Sequence, residues 1–290
     1  MFKGVVTAMI TPFKNGKVDE KRLKDNVEFQ IKNKVSGLLP CGTTGESPTL
    51  SHEEHQRVIE IVVKAVKGRV PVMGGTGSNS TDEAIEMTEF AKKIGCDAAL
   101  MVCPYYNKPT QKGVYLHFKK VADTVDIPIM LYNIPGRCGI TIDPSTMGRL
   151  RNDCKNIIGV KESTGSVDTA SQAVASCGRD FCVMSGDDSL TLPIMSVGGT
   201  GVISVISNLI PKQVADMVNA FSKAEVKKAI DMHYELLPLM KGAFIEANPI
   251  PIKTLMMMAG MDSGELRLPM CSLEDSNLGK MKELFKRYMK

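Results

Sequence analysis

One lysine of the sequence lies where it could act as a nucleophile. Lys161 follows the apolar run at 157–160, which has the composition of a strand buried on both faces. A lysine amine in water is almost entirely protonated at pH 7, and apolar surroundings favour the neutral form, which can attack a ketone and form a Schiff base. The alternative interpretation is a strand-terminal lysine that reaches solvent or pairs with Glu162.

Hydroxyl side chains at the ends of other predicted strands could move protons for such chemistry. Tyr132 and Tyr106 each follow an apolar run, and Thr43 and Thr44 follow another. Forming and dehydrating a carbinolamine requires proton transfer, which hydroxyl groups relay when they are held in line. Taken singly, each residue could equally well be structural, as a tyrosine with a buried ring or as threonines that cap a turn. All of them are predicted to lie on the same face of the fold, and this favours a role in chemistry.

Charged residues near other predicted strand ends each have two interpretations. The planar guanidinium of Arg137 matches a carboxylate through two hydrogen bonds, although an ordinary loop arginine is equally consistent with the sequence. Asp187 and Asp188 follow a glycine, and we predict a helix N-cap there rather than a metal-binding turn. Only two of the four histidines, His52 and His55, are close together, so the sequence predicts no metal site.

Regularly alternating elements must position these residues. Continuously apolar runs, separated by polar segments of helical periodicity, are typical of parallel strands covered on both faces by helices. The runs begin near Val5, Gly37, Val70, Asp97, Ile127, Ile157, Phe181 and Gly201. This pattern predicts a (β/α)8 TIM barrel over residues 1–223, in which the carboxyl ends of the strands form the working face. An open doubly wound sheet is the alternative, but its phosphate-binding glycine fingerprint is absent.

The rest of the chain, residues 224–290, is predicted to be a helical appendage to the barrel. Helical spacing indicates helices at 225–241, 250–259 and 273–290, with no linker before them. Two segments with serine followed three residues later by glutamate, at 51–54 and 80–83, predict helix starts.

Composition excludes several classes of protein. The 290 residues are 43% hydrophobic and 23% charged, which is typical of a folded globular chain. The net charge of +4 is small and dispersed, so we expect no nucleic-acid binding. No apolar run is long enough to predict a membrane span, and the eight cysteines lack CxxC or zinc-finger spacing. We therefore expect a cytoplasmic protein with no metal and no cofactor.

Seven segments, taken in order, resemble the dihydrodipicolinate synthase family of pyruvate-dependent Schiff-base aldolases. The resemblance extends from Gly4 to about Leu268, and the ordered set is specific although each motif alone is modest. The segments are TAMITPF at 7–13, GTTGESPTL at 42–50, PYYNKP at 104–109, YNIPGR at 132–137, GVKES at 159–163, SGDD at 185–188 and GVISV at 201–205.

The resemblance implies a reaction and a set of catalytic residues. Lys161 would form a Schiff base with pyruvate, which would then condense with L-aspartate-4-semialdehyde in lysine and diaminopimelate biosynthesis. Tyr132, Thr43 and Tyr106 would form the proton relay. Tyr106 would reach in from a neighbouring subunit, because members of this family are commonly homotetramers built as dimers of dimers.

The resemblance also implies the residues that contact the substrates. Thr44 would hold the carboxylate of pyruvate, and Arg137 would hold the carboxylate of the aldehyde. Gly186 and Ile203 would contribute backbone contacts near the lysine.

A second site, for lysine as a feedback inhibitor, is implied at the dimer interface. A glutamate there suits the ammonium group of lysine, and an asparagine with a tyrosine suits its carboxylate end. The matching residues are Ser47, Pro48, His52, His55, Asn79, Glu83 and Tyr105. The position that matches Pro48 is often alanine in the family, a difference that alters the shape of the site more than its charge.

Other functions remain open at this point. A different pyruvate aldolase, such as N-acetylneuraminate lyase or a sugar-acid aldolase, would share Tyr132 and Lys161, whereas the threonine pair and Arg137 favour the synthase. A non-catalytic small-ligand-binding barrel would not require the lysine, the tyrosine and both threonines together. A phosphate-binding barrel enzyme could use the glycines at 74–77, but the last two predicted strands end without a glycine-rich phosphate loop.

Overall fold

The apolar runs form eight short parallel strands, and two further strands form a small antiparallel hairpin. The computed structural model describes residues 2–289. The strands are β1 (Gly4–Ala8), β2 (Phe13–Lys14), β3 (Lys17–Val18), β4 (Gly37–Leu39), β5 (Met73–Gly75), β6 (Ala98–Val102), β7 (Ile129–Asn133), β8 (Ile157–Glu162), β9 (Cys182–Ser185) and β10 (Gly201–Ser204). All but β2 and β3 belong to one sheet of order β4-β1-β10-β9-β8-β7-β6-β5, the strand order of a (β/α)8 barrel. The predicted fold class is confirmed, whereas the β2–β3 hairpin was not predicted.

Helices separate the strands, as the periodicity predicts. They are α1 (Glu20–Lys32), α2 (His52–Val66), α3 (Thr81–Lys93), α4 (Gln111–Thr124), α5 (Pro135–Cys138), α6 (Pro144–Asp153), α7 (Val167–Cys177), α8 (Thr191–Ser196), α9 (Pro211–Ser222), α10 (Val226–Gly242), α11 (Ile250–Met258) and α12 (Asp275–Tyr288). Single 3-10 turns occupy Thr43–Gly45, Ser47–Thr49, Asp188–Leu190 and Ile206–Asn208. Across residues 2–289, no helix is both long enough and apolar enough to cross a membrane.

The three helices predicted beyond residue 224 are present as α10, α11 and α12. The last predicted helix includes Lys290, and the predicted barrel begins at Met1; both residues lie outside the described part of the chain. Packing divides the chain into two compact units. One contains Pro71–Ile203 with Phe2 and Lys3, and the other contains Gly4–Val70 with residues 204–289. The boundary at 223/224 between barrel and appendage stays a prediction.

In the unit that contains Pro71–Ile203, the register of the central strands is set by one irregularity. Ile129 pairs with Ile157, but the next residue, Met130, pairs with Gly159, so Ile158 is an extra residue in β8. Such an insertion is a β-bulge, and it changes which side chains of the two strands lie together. Beyond the bulge, Tyr132 pairs with Lys161.

Gly77, which follows β5 in the same unit, has a packing role that explains one glycine of the segment at 74–77. A Cβ atom at Gly77 would overlap the backbone of β6 at Val102, because the chain passes directly against that strand. Glycine allows this close approach of two backbones. Packing alone therefore accounts for the glycine at position 77, and no bound anion is needed to explain it.

In the unit that contains Gly4–Val70, the predicted start of α2 is confirmed in detail. The Ser51 hydroxyl accepts a hydrogen bond from the Glu54 backbone N–H at 3.2 Å, and the Glu54 carboxylate accepts one from the Ser51 backbone N–H at 3.1 Å. This reciprocal pair is a capping box, which satisfies two backbone donors that the first helical turn leaves without partners.

A buried ion pair that the sequence did not predict ties α11 to the segment after β4. Lys253 is 0% exposed, and its Nζ donates hydrogen bonds to Glu46 Oε1 at 2.7 Å and to the carbonyl oxygens of Thr11 and Glu265. The same Nζ lies 4.5 Å from the centre of the Phe13 ring. Each donor of the ammonium therefore has an acceptor, which is what makes a charge tolerable in an apolar interior.

Replacing Lys253 with methionine, which fills similar space, is expected to lower the free energy of unfolding by about 3–5 kcal/mol. The cause is that the buried Glu46 carboxylate would lose its counter-charge. Denaturant unfolding of the parent and Lys253→Met measures the difference. The matched control is Lys212→Met, which breaks an exposed pair with Asp216 and should change stability by no more than about 0.5 kcal/mol. Equal effects of the two substitutions would contradict a special role for the buried pair.

Candidate active site

The two residues most strongly predicted to carry chemistry lie side by side. Lys161 on β8 is 4% exposed and Tyr132 on β7 is 5% exposed. They are register partners in neighbouring parallel strands, and Lys161 Nζ lies 4.2 Å from the centre of the Tyr132 ring. An amine and a phenol are thus held together in a largely buried site near the carboxyl ends of two strands, the location of barrel active sites.

Gly186, immediately after β9, has no side chain, and this makes room for the side chain of Lys161. Its backbone N–H donates a hydrogen bond to the Glu162 carbonyl oxygen at 2.8 Å, which continues the β8–β9 pairing. A Cβ atom at this position would lie 2.9 Å from Lys161 Cε and would overlap Ser163 Oγ. The structure therefore brings Gly186 and Ser163 against the lysine, and Ser163 is a neighbour that the sequence analysis missed.

Ile203 is also buried, near the end of β10. The residue before it, Val202, pairs with Ser185 of β9. Ile203 is thus close to the carboxyl end of a strand.

The carboxylate of Glu162, the possible ion partner of Lys161, forms hydrogen bonds with other residues. It accepts hydrogen bonds from Asn133 Nδ2 at 3.0 Å and from the Thr164 backbone N–H at 2.7 Å, and burial raises the pKa of Glu162. Successive side chains of a strand point to opposite faces, so Glu162 and Lys161 face different sides of β8. Asn133 Oδ1 in turn accepts a hydrogen bond from the Ile142 backbone N–H at 3.0 Å, which anchors the segment after α5.

Arg137 and Tyr106 lie outside the buried pair. Arg137 is exposed on the short helix α5, which begins two residues after β7 ends. Tyr106 is 88% exposed and has a φ of +71°, in the left-handed region that non-glycine residues rarely adopt. Within this chain, Tyr106 therefore faces solvent rather than the buried Lys161.

In the acidic pair after β9, Asp187 stabilises the 3-10 turn that follows it. Asp187 Oδ1 accepts hydrogen bonds from the Ser189 backbone N–H at 2.8 Å and from Ser189 Oγ at 2.9 Å, so Asp187 caps the 3-10 turn as predicted. In the described part of the chain, no group of three or more histidine, cysteine, aspartate or glutamate residues is arranged to hold a metal ion.

Thr43 and Thr44 belong to the other unit, in the 3-10 turn that follows β4. Thr44 is 2% exposed, and its Oγ1 accepts a hydrogen bond of 3.0 Å from Asn248 Nδ2. Thr11 Oγ1 donates a hydrogen bond of 2.7 Å to the Gly45 carbonyl oxygen, which fixes the same turn. Thr43 is partly exposed. Asn248 was missed by the sequence analysis, because it lies in a loop more than 200 residues away from its partner.

The residues matched to a lysine site fall into two groups, one in each unit. In one, Asn79 Nδ2 donates a hydrogen bond of 3.2 Å to the Tyr105 carbonyl oxygen, and the Glu83 carboxylate accepts a hydrogen bond from Ser78. Burial, and secondarily the charge of Glu83, raises the pKa of the Tyr105 phenol. The other group comprises Ser47 and Pro48 of a 3-10 turn, with His52 and His55 in the first turn of α2.

Comparisons with known proteins identify relatives along the whole chain. Residues 1–288 match the model of the dihydrodipicolinate synthetase family. The 4-hydroxy-tetrahydrodipicolinate synthase of Endomicrobium trichonymphae is 56% identical over 288 residues, covering 99% of both chains. The crystal structure of dihydrodipicolinate synthase from Aquifex aeolicus has a TM-score of 0.98 at 49% identity, covering 99% of this chain and 98% of that one.

A further solved structure, the enzyme from Cyanidioschyzon merolae with lysine bound, has a TM-score of 0.96 at 38% identity, covering 99% of this chain and 98% of that one. These matches agree with the barrel fold. The chain belongs to the dihydrodipicolinate synthetase family.

Proposed function

We propose that this chain condenses pyruvate with L-aspartate-4-semialdehyde through a Schiff base on Lys161. The relatives at about 50% identity bear the name 4-hydroxy-tetrahydrodipicolinate synthase, so the chain is an enzyme of the lyase class that acts in lysine and diaminopimelate biosynthesis. The observation that carries the proposed chemistry is the buried Lys161 amine beside the Tyr132 ring.

The reaction begins with attack of the neutral Lys161 amine on the keto carbon of pyruvate. The carbinolamine loses water to give the Schiff base, and loss of a methyl proton then gives an enamine. The enamine carbon attacks the aldehyde carbon of aspartate semialdehyde and forms the new carbon–carbon bond. The amino group of that substrate displaces the Lys161 nitrogen from the former keto carbon, which closes the ring and returns the free lysine.

Tyr132, Thr43 and Tyr106 are proposed to carry the protons of these steps. Tyr132 lies beside the amine and would donate to and accept from the carbinolamine oxygen. Tyr106 would come from a neighbouring subunit of a homotetramer. Its 88% exposure and its left-handed backbone, which costs about 1–3 kcal/mol, fit a side chain that completes a site outside its own chain.

Thr44 and Arg137 are proposed to hold the two substrate carboxylates. The buried Thr44 hydroxyl suits the carboxylate of pyruvate, because it can donate a hydrogen bond to that group. The exposed Arg137 guanidinium suits the carboxylate of the aldehyde substrate, which enters from solvent. Gly186 and Ile203 are proposed to line the position next to the lysine with backbone groups. The eight cysteines are free thiols, which suits the cytoplasmic location that we also propose.

Lysine is proposed to inhibit the enzyme at a second site. The family neighbour from Cyanidioschyzon merolae was crystallised with lysine bound. In this chain, Asn79, Glu83 and Tyr105 lie near one another, and the negative charge of the Glu83 carboxylate suits an ammonium group. Ser47, Pro48, His52 and His55 are proposed to complete the site.

Reduction with borohydride in the presence of pyruvate is expected to attach the keto acid covalently to Lys161. Peptide mass mapping of the treated protein locates the adduct. Lys161→Ala should give no adduct, whereas Lys155→Ala, which removes an exposed lysine before β8, should label like the parent. A parent protein that forms no adduct on Lys161 would contradict the proposed chemistry and favour a non-catalytic binding barrel. Turnover of N-acetylneuraminate, with none of pyruvate and aspartate semialdehyde, would instead favour the lyase.

Gly186→Ala is expected to lower kcat by at least about tenfold, because the new methyl group would displace the Lys161 side chain from its position beside Tyr132. Steady-state kinetics with both substrates measures the effect. Gly279→Ala is the control, since a Cβ atom at this exposed position in α12 meets nothing within 4 Å. Unchanged kcat in Gly186→Ala would show that the close packing around the lysine has no part in catalysis.

Millimolar lysine is expected to inhibit the parent enzyme and to bind in calorimetry. Glu83→Gln should weaken lysine binding by at least about tenfold, since a hydrogen bond between charged groups contributes about 1.5–3 kcal/mol. Glu89→Gln, on the exposed side of the same helix, serves as the control. Full activity in millimolar lysine, with no heat of binding, would contradict the inhibitory site.

A further inference from the structure

We propose that Asn248 is a positioning residue that makes the Thr44 hydroxyl a hydrogen-bond donor toward the carboxylate of pyruvate. The inference rests on the proposed function, in which Thr44 holds that carboxylate. It adds a group that is remote in sequence and has no place in the motifs of the active site.

The contact between the two side chains is direct and buried. Asn248 Nδ2 lies 3.0 Å from Thr44 Oγ1, and the two residues are 5% and 2% exposed. Asn248 comes immediately before the start of α11, and Thr44 is in the 3-10 turn after β4. Both belong to the same compact unit.

The direction of this hydrogen bond decides what Thr44 can do next. A hydroxyl group has one proton and two lone pairs, so it can both donate and accept. When an amide N–H occupies one lone pair, the hydroxyl proton remains available for another acceptor. An ionised carboxylate only accepts hydrogen bonds, so the arrangement matches the ligand that Thr44 is proposed to bind.

The turn that carries Thr44 is held independently of Asn248. Thr11 Oγ1 donates a hydrogen bond to the Gly45 carbonyl oxygen, and Lys253 Nζ on α11 donates one to the Glu46 carboxylate. The polypeptide on both sides of the Asn248–Thr44 contact is therefore anchored, and a substitution at Asn248 should change the hydrogen bonding of Thr44 more than the position of its backbone.

Asn248→Asp tests the proposal because it keeps the side-chain shape and replaces the donor with acceptors. The aspartate should accept a hydrogen bond from the Thr44 hydroxyl, and we expect the KM for pyruvate to rise at least about tenfold, with less than a twofold change in kcat and in the KM for the aldehyde. Asn248→Ala, which removes the donor without adding a charge, should raise the KM for pyruvate by a smaller factor. Thermal unfolding of each variant verifies that it is folded.

The matched comparison repeats both substitutions in a Thr44→Val background, where no hydroxyl remains. There, Asn248→Asp and Asn248→Ala should each change the KM for pyruvate by less than about twofold, since Asn248 acts through Thr44. Equal fold-changes in the two backgrounds would overturn the proposal, because they would show a general effect of charge or structure. So would equal rises in KM for both substrates. If Asn248→Asp does not fold, the Asn248→Ala comparison decides in the same way.

The borohydride experiment separates this inference from the function on which it rests. A parent protein with the pyruvate adduct on Lys161, combined with equal effects of Asn248 substitutions in both backgrounds, would reject only the positioning role. A parent protein without the adduct would reject the proposed function itself.

Discussion

The alignment of Tyr132 with Lys161 is the constraint on which the site depends. Neither residue is reactive by its type alone, and the two come together only because β7 and β8 are parallel and correctly registered. Gly186 on the adjoining segment then keeps the space beside the lysine open. The apolar strands therefore do more than form a core, because their pairing places an amine against a phenol where water is largely excluded.

Two buried polar contacts in the unit that contains Gly4–Val70 connect the same two segments. Lys253 with Glu46, and Asn248 with Thr44, join α11 to the turn after β4 with matched donors and acceptors. Partners are required there because a buried charge or hydroxyl without one destabilises the fold. The same contacts that satisfy these groups also restrict the orientation of the turn, so stability and the geometry of Thr44 have a shared physical origin.

The sequence predicted the parts of the molecule that depend on local patterns. Continuous apolar runs located the eight parallel strands, and the Ser51 and Asp187 caps followed from residue type and spacing. The β2–β3 hairpin was missed because strands of two residues have no periodicity. Ser163 and Asn248 were missed because their significance arises from tertiary packing. Lys253 did leave a signal, since the only charged residue of the largely apolar helix α11 indicates a buried partner, but the sequence did not identify Glu46.

The extra residue at Ile158 has a consequence for how this site tolerates change. Side chains on a strand alternate between its faces, so regular pairing of β7 with β8 without the bulge would align Tyr132 with Val160 and Asn133 with Lys161. The amine would then point into the surrounding helical layer, while every amino acid needed for the chemistry remained present. A point substitution alters one side chain at a time, whereas a shift of the register by one residue would invert the whole site at once.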